Sequence, residues 1–256
     1  MLKFFFYNFL EGNQTDLIID SIQKMIDGTK QYERMEDIML FVMVPDESLA
    51  DVSAAFDRTY VKIASPDIFL TDQSKLQSAG GRRSLAAYKA VGTDLVTTGL
   101  ADARFQRIET VETAAEKLEA GLNAGLKVLF CVGEDEASFK DGTSFEVVKK
   151  QLAEGVKRIP LDSFYRCAVL YKPLWAFGPE GRSSDKDYNA KMFDLIRKTA
   201  EQTRPEFPEP LPLIYGGILE ADEAKDLLCR EILDGVLIES DRMDTDAFVA
   251  FINSCY

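Results

Sequence analysis

The chain has 256 residues, 46% of them hydrophobic, enough to bury the core of one sizeable α/β domain spanning 1–256, although length alone also allows two small ones. Its 43 acidic residues against 30 basic ones leave a formal charge of −13, which argues against nucleic acid or an anionic membrane as partner, because phosphate is held by clustered Lys and Arg. There is no histidine, which excludes a Ser-His-Asp triad, a Cys-His pair and a His-based zinc site.

The N-terminal stretch MLKFFFYNFLEGN is apolar but is interrupted by Asn8 and lacks a small-residue cleavage site, so it reads as a buried first strand, not a signal peptide. Further apolar, β-branched runs follow at Ile38–Val44, Tyr60–Ala64, Asp94–Gly99, Lys127–Gly133, Cys167–Lys172, Leu211–Gly216 and Gly235–Ser240. Between them lie stretches of helical period. Val111, Ala114, Ala115, Leu118 and Leu122 fall on one helical face. TDLIIDSIQKMI, DKDYNAKMFDLIRKTAEQ and DTDAFVAFINS read the same way, each opening on an acidic or hydroxyl N-cap candidate.

Eight strands, each followed by a helix, in about 250 residues is the count of a (β/α)8 TIM barrel. A doubly wound open sheet usually shows a Gly-rich turn after its first strand, and NFLEGN at that place favours the barrel. No apolar run approaches the ~20 residues that span a bilayer. Cys131, Cys167, Cys229 and Cys255 are far apart with no CxxC, so reduced thiols and a cytoplasmic location are expected, with no cofactor and no metal.

In such barrels the chemistry sits just past the C-terminal ends of the strands. Those positions carry Asn8 to Glu11, Gly99 to Asp102, Gly133 to Asp135, Lys172 to Gly181, Gly216 to Leu219 and Glu239 to Asp241. Several of these segments, in order and spacing, resemble the triosephosphate isomerase family over nearly the whole chain. AGLKVLFCVGE resembles its fifth strand and FKDGTSFEVVKKQLAEGV the helix after it. LYKPLWAFGPEG resembles its hinged lid AYEPVWAIGTG, LIYGGIL its phosphate loop, and DGVLIESDRMDTDAFVAFINS its C-terminal segment.

The residues that the resemblance marks as functional depart from the family. Leu10 stands where the family has a substrate-contacting Lys, Leu100 where it has the carbonyl-polarising His, and Lys172 where it has the glutamate base; Asp102 keeps an acid at the Glu position of GHSERR. Glu239-Ser240 replaces a Gly pair whose N–H groups help hold phosphate. A protonated Lys accepts no proton and Leu donates no hydrogen bond. Loss of a general base alone costs roughly 10²–10⁴-fold, and loss of an electrostatic donor about 10²–10³-fold. The resemblance therefore implies an isomerase homologue without isomerase activity.

Two other readings stay open: new chemistry using Lys172 with Asp102 or Glu134, and a divergent sugar-phosphate isomerase. Lys172 otherwise reads as a charged Lys paired with a carboxylate, Glu239 or Asp102. The ligand-binding candidates are Asn8, Gly178, Gly216, Gly217, Glu239 and Ser240, for an unidentified small molecule or protein. Gly216 and Gly217 either present N–H groups to an anion or serve a tight turn. GGRRS at Gly80–Ser84 is a small basic patch or a solvated loop. The family's dimer loop matches SAGGRRS only in length, which leaves a homodimer open.

Overall fold

A computed structural model describes residues 2–10, 12–33, 37–68, 84–99, 110–177 and 185–256. Eight strands run β1 (Lys3–Asn8), β2 (Ile38–Met43), β3 (Lys62–Ser65), β4 (Leu95–Gly99), β5 (Lys127–Val132), β6 (Cys167–Tyr171), β7 (Leu213–Tyr215) and β8 (Gly235–Glu239). They close into a barrel in chain order, with β1 parallel to both β2 and β8. The helices are α1 (Thr15–Thr29), α2 (Leu49–Phe56), α3 (Leu85–Ala90), α4 (Val111–Asn123), α5 (Glu136–Lys140), α6 (Ser144–Lys157), α7 (Lys186–Thr203), α8 (Ala221–Cys229) and α9 (Thr245–Ser254). This is the expected (β/α)8 barrel. Its strands read as continuous apolar runs because parallel strands are covered on both faces.

Departures from the sequence reading have local causes. β7 is shorter than Leu211–Gly216 because Pro212 has no N–H for the ladder; its carbonyl still accepts from the Val169 N–H at 2.8 Å. The segment after β5 breaks into two helices at Gly142, whose φ of 71° ends α5 in the left-handed region. Helix α1 does not open on a hydroxyl cap: Gln14 occupies that place without a side-chain bond, and Thr15 Oγ1 instead meets Ser48 Oγ at 2.8 Å. Asp185 and Asp244 do cap α7 and α9. On α4 the expected face is buried except for Val111 in its first turn.

The chain packs as two compact units, Met1–Val96 with Ala221–Tyr256, and Thr97–Glu220. In the first, Phe6 stacks on Phe41 with ring centroids 4.8 Å apart, while Phe5 and Tyr7 meet Phe251 and Phe248 of α9. In the second, β5 and β6 pair from Val128↔Cys167 to Val132↔Tyr171, and α6 packs against α4 and α7. Gly99 at the end of β4 has φ of 131°, and a Cβ there would lie 1.9 Å from the Cys131 carbonyl oxygen. Only glycine permits this approach of β4 to β5. Among the described residues, no helix is long and apolar enough to cross a membrane.

Candidate functional site

In the first unit, β1 and β8 end side by side, with Asn8 opposite Glu239. The Asn8 Nδ2 donates to Glu239 Oε2 at 2.6 Å, and the Ser240 N–H donates to the Asn8 carbonyl at 2.9 Å. The Leu10 N–H reaches Ser240 Oγ at 3.4 Å, and the Leu10 side chain is 38% exposed. Four expected site residues, Asn8, Leu10, Glu239 and Ser240, thus come together here. Glu239 is buried, so its carboxylate needs the donors it has. Asn8 Oδ1 is buried without a hydrogen-bond partner.

In the second unit the chain leaves β5 through Gly133, whose N–H and carbonyl are both held by the Gln151 side chain of α6, at 2.9 and 3.0 Å. This clamp sets the direction of Glu134, which is fully buried. Its Oε1 accepts from Trp175 Nε1 at 2.7 Å, Tyr188 Oη at 2.6 Å and Tyr171 Oη at 3.1 Å. Its Oε2 is buried without a hydrogen-bond partner. Trp175 lies on a 3₁₀ turn, Leu174–Phe177, tied back by the Leu174 N–H to the Glu134 carbonyl at 2.9 Å. Its ring stacks on Phe139 at 4.2 Å, and Tyr188 packs edge-on to both. Asp185, the α7 N-cap, accepts from the Tyr188 N–H and thereby orients that residue.

Burial, and then the Glu134 carboxylate, holds the Tyr171 phenol well above its usual range; burial and the hydrogen bond to Glu134 do the same at Tyr188. Both phenols remain protonated donors at neutral pH. Burial pushes the Cys167 thiol up to about 12, so it is inert as a nucleophile.

Lys172 follows β6, its N–H donating to the Val132 carbonyl at 2.9 Å. Its Nζ lies 4.8 Å from the centroid of the Phe177 ring, within cation–π range. Gly216 is buried and its N–H donates to the Tyr171 carbonyl. A Cβ on Gly217 would lie 2.1 Å from Tyr215 Oη, so packing alone requires glycine there. Leu100, Asp102 and Gly178, with Gly80–Arg83, lie outside the described residues. Ser84 is the N-cap of α3. Among the described residues, no group of three or more Cys, Asp or Glu is placed to hold a metal ion.

Residues 11–255 match the family model described as triosephosphate isomerase. The chain belongs to the triosephosphate isomerase family. A triosephosphate isomerase from Porphyromonas gingivalis is 29% identical over 216 residues, 84% of each chain. One from Fusobacterium nucleatum is 26% identical over 238 residues, 92% of each chain. One from Alkaliphilus metalliredigens is 24% identical over 230 residues, 90% of this chain and 92% of the relative.

Trp175, in the segment that resembles the family's lid, and Glu134, just past β5, are joined directly by a hydrogen bond. Sequence reasoning missed Tyr188, Tyr171 and Phe139, which complete the surroundings of Glu134. The available signal was aromatic: Tyr171 and Trp175 lie within the segment LYKPLWAFGPEG, Tyr188 follows it, and Phe139 follows β5.

Proposed function

We propose that this chain is a triosephosphate isomerase homologue without isomerase activity, whose present role is to bind a small molecule or a protein. The observation that carries this reading is Lys172. It stands where the resemblance puts the glutamate that takes the substrate proton, and its Nζ sits over the Phe177 ring. That contact favours the charged ammonium, which accepts no proton. Leu10 offers no charge to a substrate, and Glu239 brings a carboxylate where the family presents backbone N–H groups to phosphate. The charge of −13 supports partners other than nucleic acid or anionic membrane, and four cysteines outside any disulfide accord with a cytoplasmic location.

The test is a coupled assay of glyceraldehyde phosphate and dihydroxyacetone phosphate interconversion, on protein freed of the host isomerase. No measurable turnover is expected. A kcat/KM in the ordinary enzyme range, about 10⁴–10⁸ M⁻¹s⁻¹, would overturn the proposal. Lysine chemistry at Lys172 is the rival reading. Borohydride trapping of a covalent adduct between Lys172 and an aldehyde would reverse the order of the two readings.

A further inference from the structure

Helix α7 has 18 residues and is about 27 Å long; Tyr188 lies near its start, and its second half, from Ile196 to Glu201, lines a cavity. This cavity has a volume of about 390 Å³, within the usual size range for small-molecule sites. Ile196, Ala200, Phe207, Leu211 and Leu213 supply an apolar wall, and Arg204 lies among them. Four prolines in the connector from Arg204 to β7 shape it, three of which line the cavity.

Arg204 is the polar group of interest. Its side chain is only 16% exposed, and the guanidinium lies 4.7 Å from the centroid of Phe207. Nε donates to Glu206. Nη1 donates to the Ile159 carbonyl at 2.6 Å, with longer contacts to the carbonyls of Val156 and Lys157, which close the end of α6. Among the described residues, Nη2 has no hydrogen-bond partner. The guanidinium is therefore fixed on one edge and ready to donate on the other, at the wall of an apolar cavity.

We infer that this cavity is a binding site for a small amphipathic monocarboxylate. The apolar body lies against Ile196, Ala200 and Leu213, and the carboxylate accepts from Arg204 Nη2. Arg197, Glu201 and Glu209 also line the cavity, so with Arg204 its charged lining balances, and the net charge of −13 of the whole chain selects against a phosphate dianion. A monoanion whose affinity comes mainly from apolar burial tolerates that field.

The experiment uses the full chain and three probes of one shape, phenylbutyrate, phenylbutanol and phenylbutylamine, with binding read by calorimetry and ligand-detected NMR. The carboxylate is expected to bind at least about tenfold tighter than either isostere, the worth of a charge-assisted hydrogen bond. Ala200→Phe, which fills the cavity, should abolish binding at an unchanged circular dichroism spectrum. Arg204→Lys should weaken the carboxylate alone by about tenfold. Equal binding of the alcohol would overturn the anion assignment, and binding that survives Ala200→Phe would overturn the location. No binding of any probe at millimolar concentration would overturn the site.

Discussion

The side-chain amide of Asn8 and the carboxylate of Glu239 meet at 2.6 Å, where β1 and β8 end side by side. The pair fixes a negative charge on backbone that in the family's pattern offers N–H groups to phosphate. The combined substitution Leu10→Lys, Leu100→His and Lys172→Glu should therefore recover little isomerase activity. Adding Glu239→Gly and Ser240→Gly should raise kcat/KM at least tenfold over the triple variant, since binding of the remote phosphate orients the reacting carbons. The coupled assay decides it. An efficient triple variant would show that Glu239 does not obstruct substrate.

Glu134 should hold the 3₁₀ turn of Trp175 in place. Tyr188→Phe removes one of three donors to a buried carboxylate and should cost about 1–2 kcal/mol. Glu134→Leu leaves the Trp175 N–H and two phenols without their acceptor and should cost about 3 kcal/mol or more. Urea midpoints measure both. Trp175 is the chain's only tryptophan, so its fluorescence should shift in the Glu134 variant. An unchanged spectrum would mean that the indole keeps its surroundings without the carboxylate.

Gly99→Ala should be among the most damaging single methyl additions. Its Cβ would meet the Cys131 carbonyl at 1.9 Å, and φ of 131° is unfavourable to any L side chain. A loss of at least about 2 kcal/mol, or failure to fold, is expected. A melting temperature equal to the parent's would show that β4 can move away from β5.

The alkaline limit of stability should be set partly by Tyr171 and Tyr188. Their folded-state pKa values lie above the ordinary 10.0, so above about pH 10 the unfolded chain binds fewer protons than the folded one. Stability should be complete below that pH and fall as pH rises toward the raised values. Urea midpoints taken stepwise through this range should decline, and less steeply in Tyr188→Phe. A flat profile would show that neither phenol resists ionisation in the folded protein.

The amino-acid sequence by itself determined the barrel. Its strands are apolar because both faces are covered, and its helices carry apolar stripes of period 3.6, so the order of elements is written in local pattern. It also placed Leu10, Lys172 and Glu239 at strand ends, because in this architecture position along a strand dictates which residues reach the chemical end. Only the tertiary structure decided what these side chains touch. That Asn8 takes the Glu239 carboxylate, 231 positions away, depends on β1 and β8 becoming neighbours. The three donors on Glu134 arrive from β6, the turn after it and α7, through distances of 37, 41 and 54 residues along the chain. The same holds for Arg204, whose partners at the end of α6 and just past it lie 45 to 48 residues before it. Hydrogen bonds and cavities of this kind are set by the direction in which packed elements aim their side chains, and no short-range pattern encodes that direction.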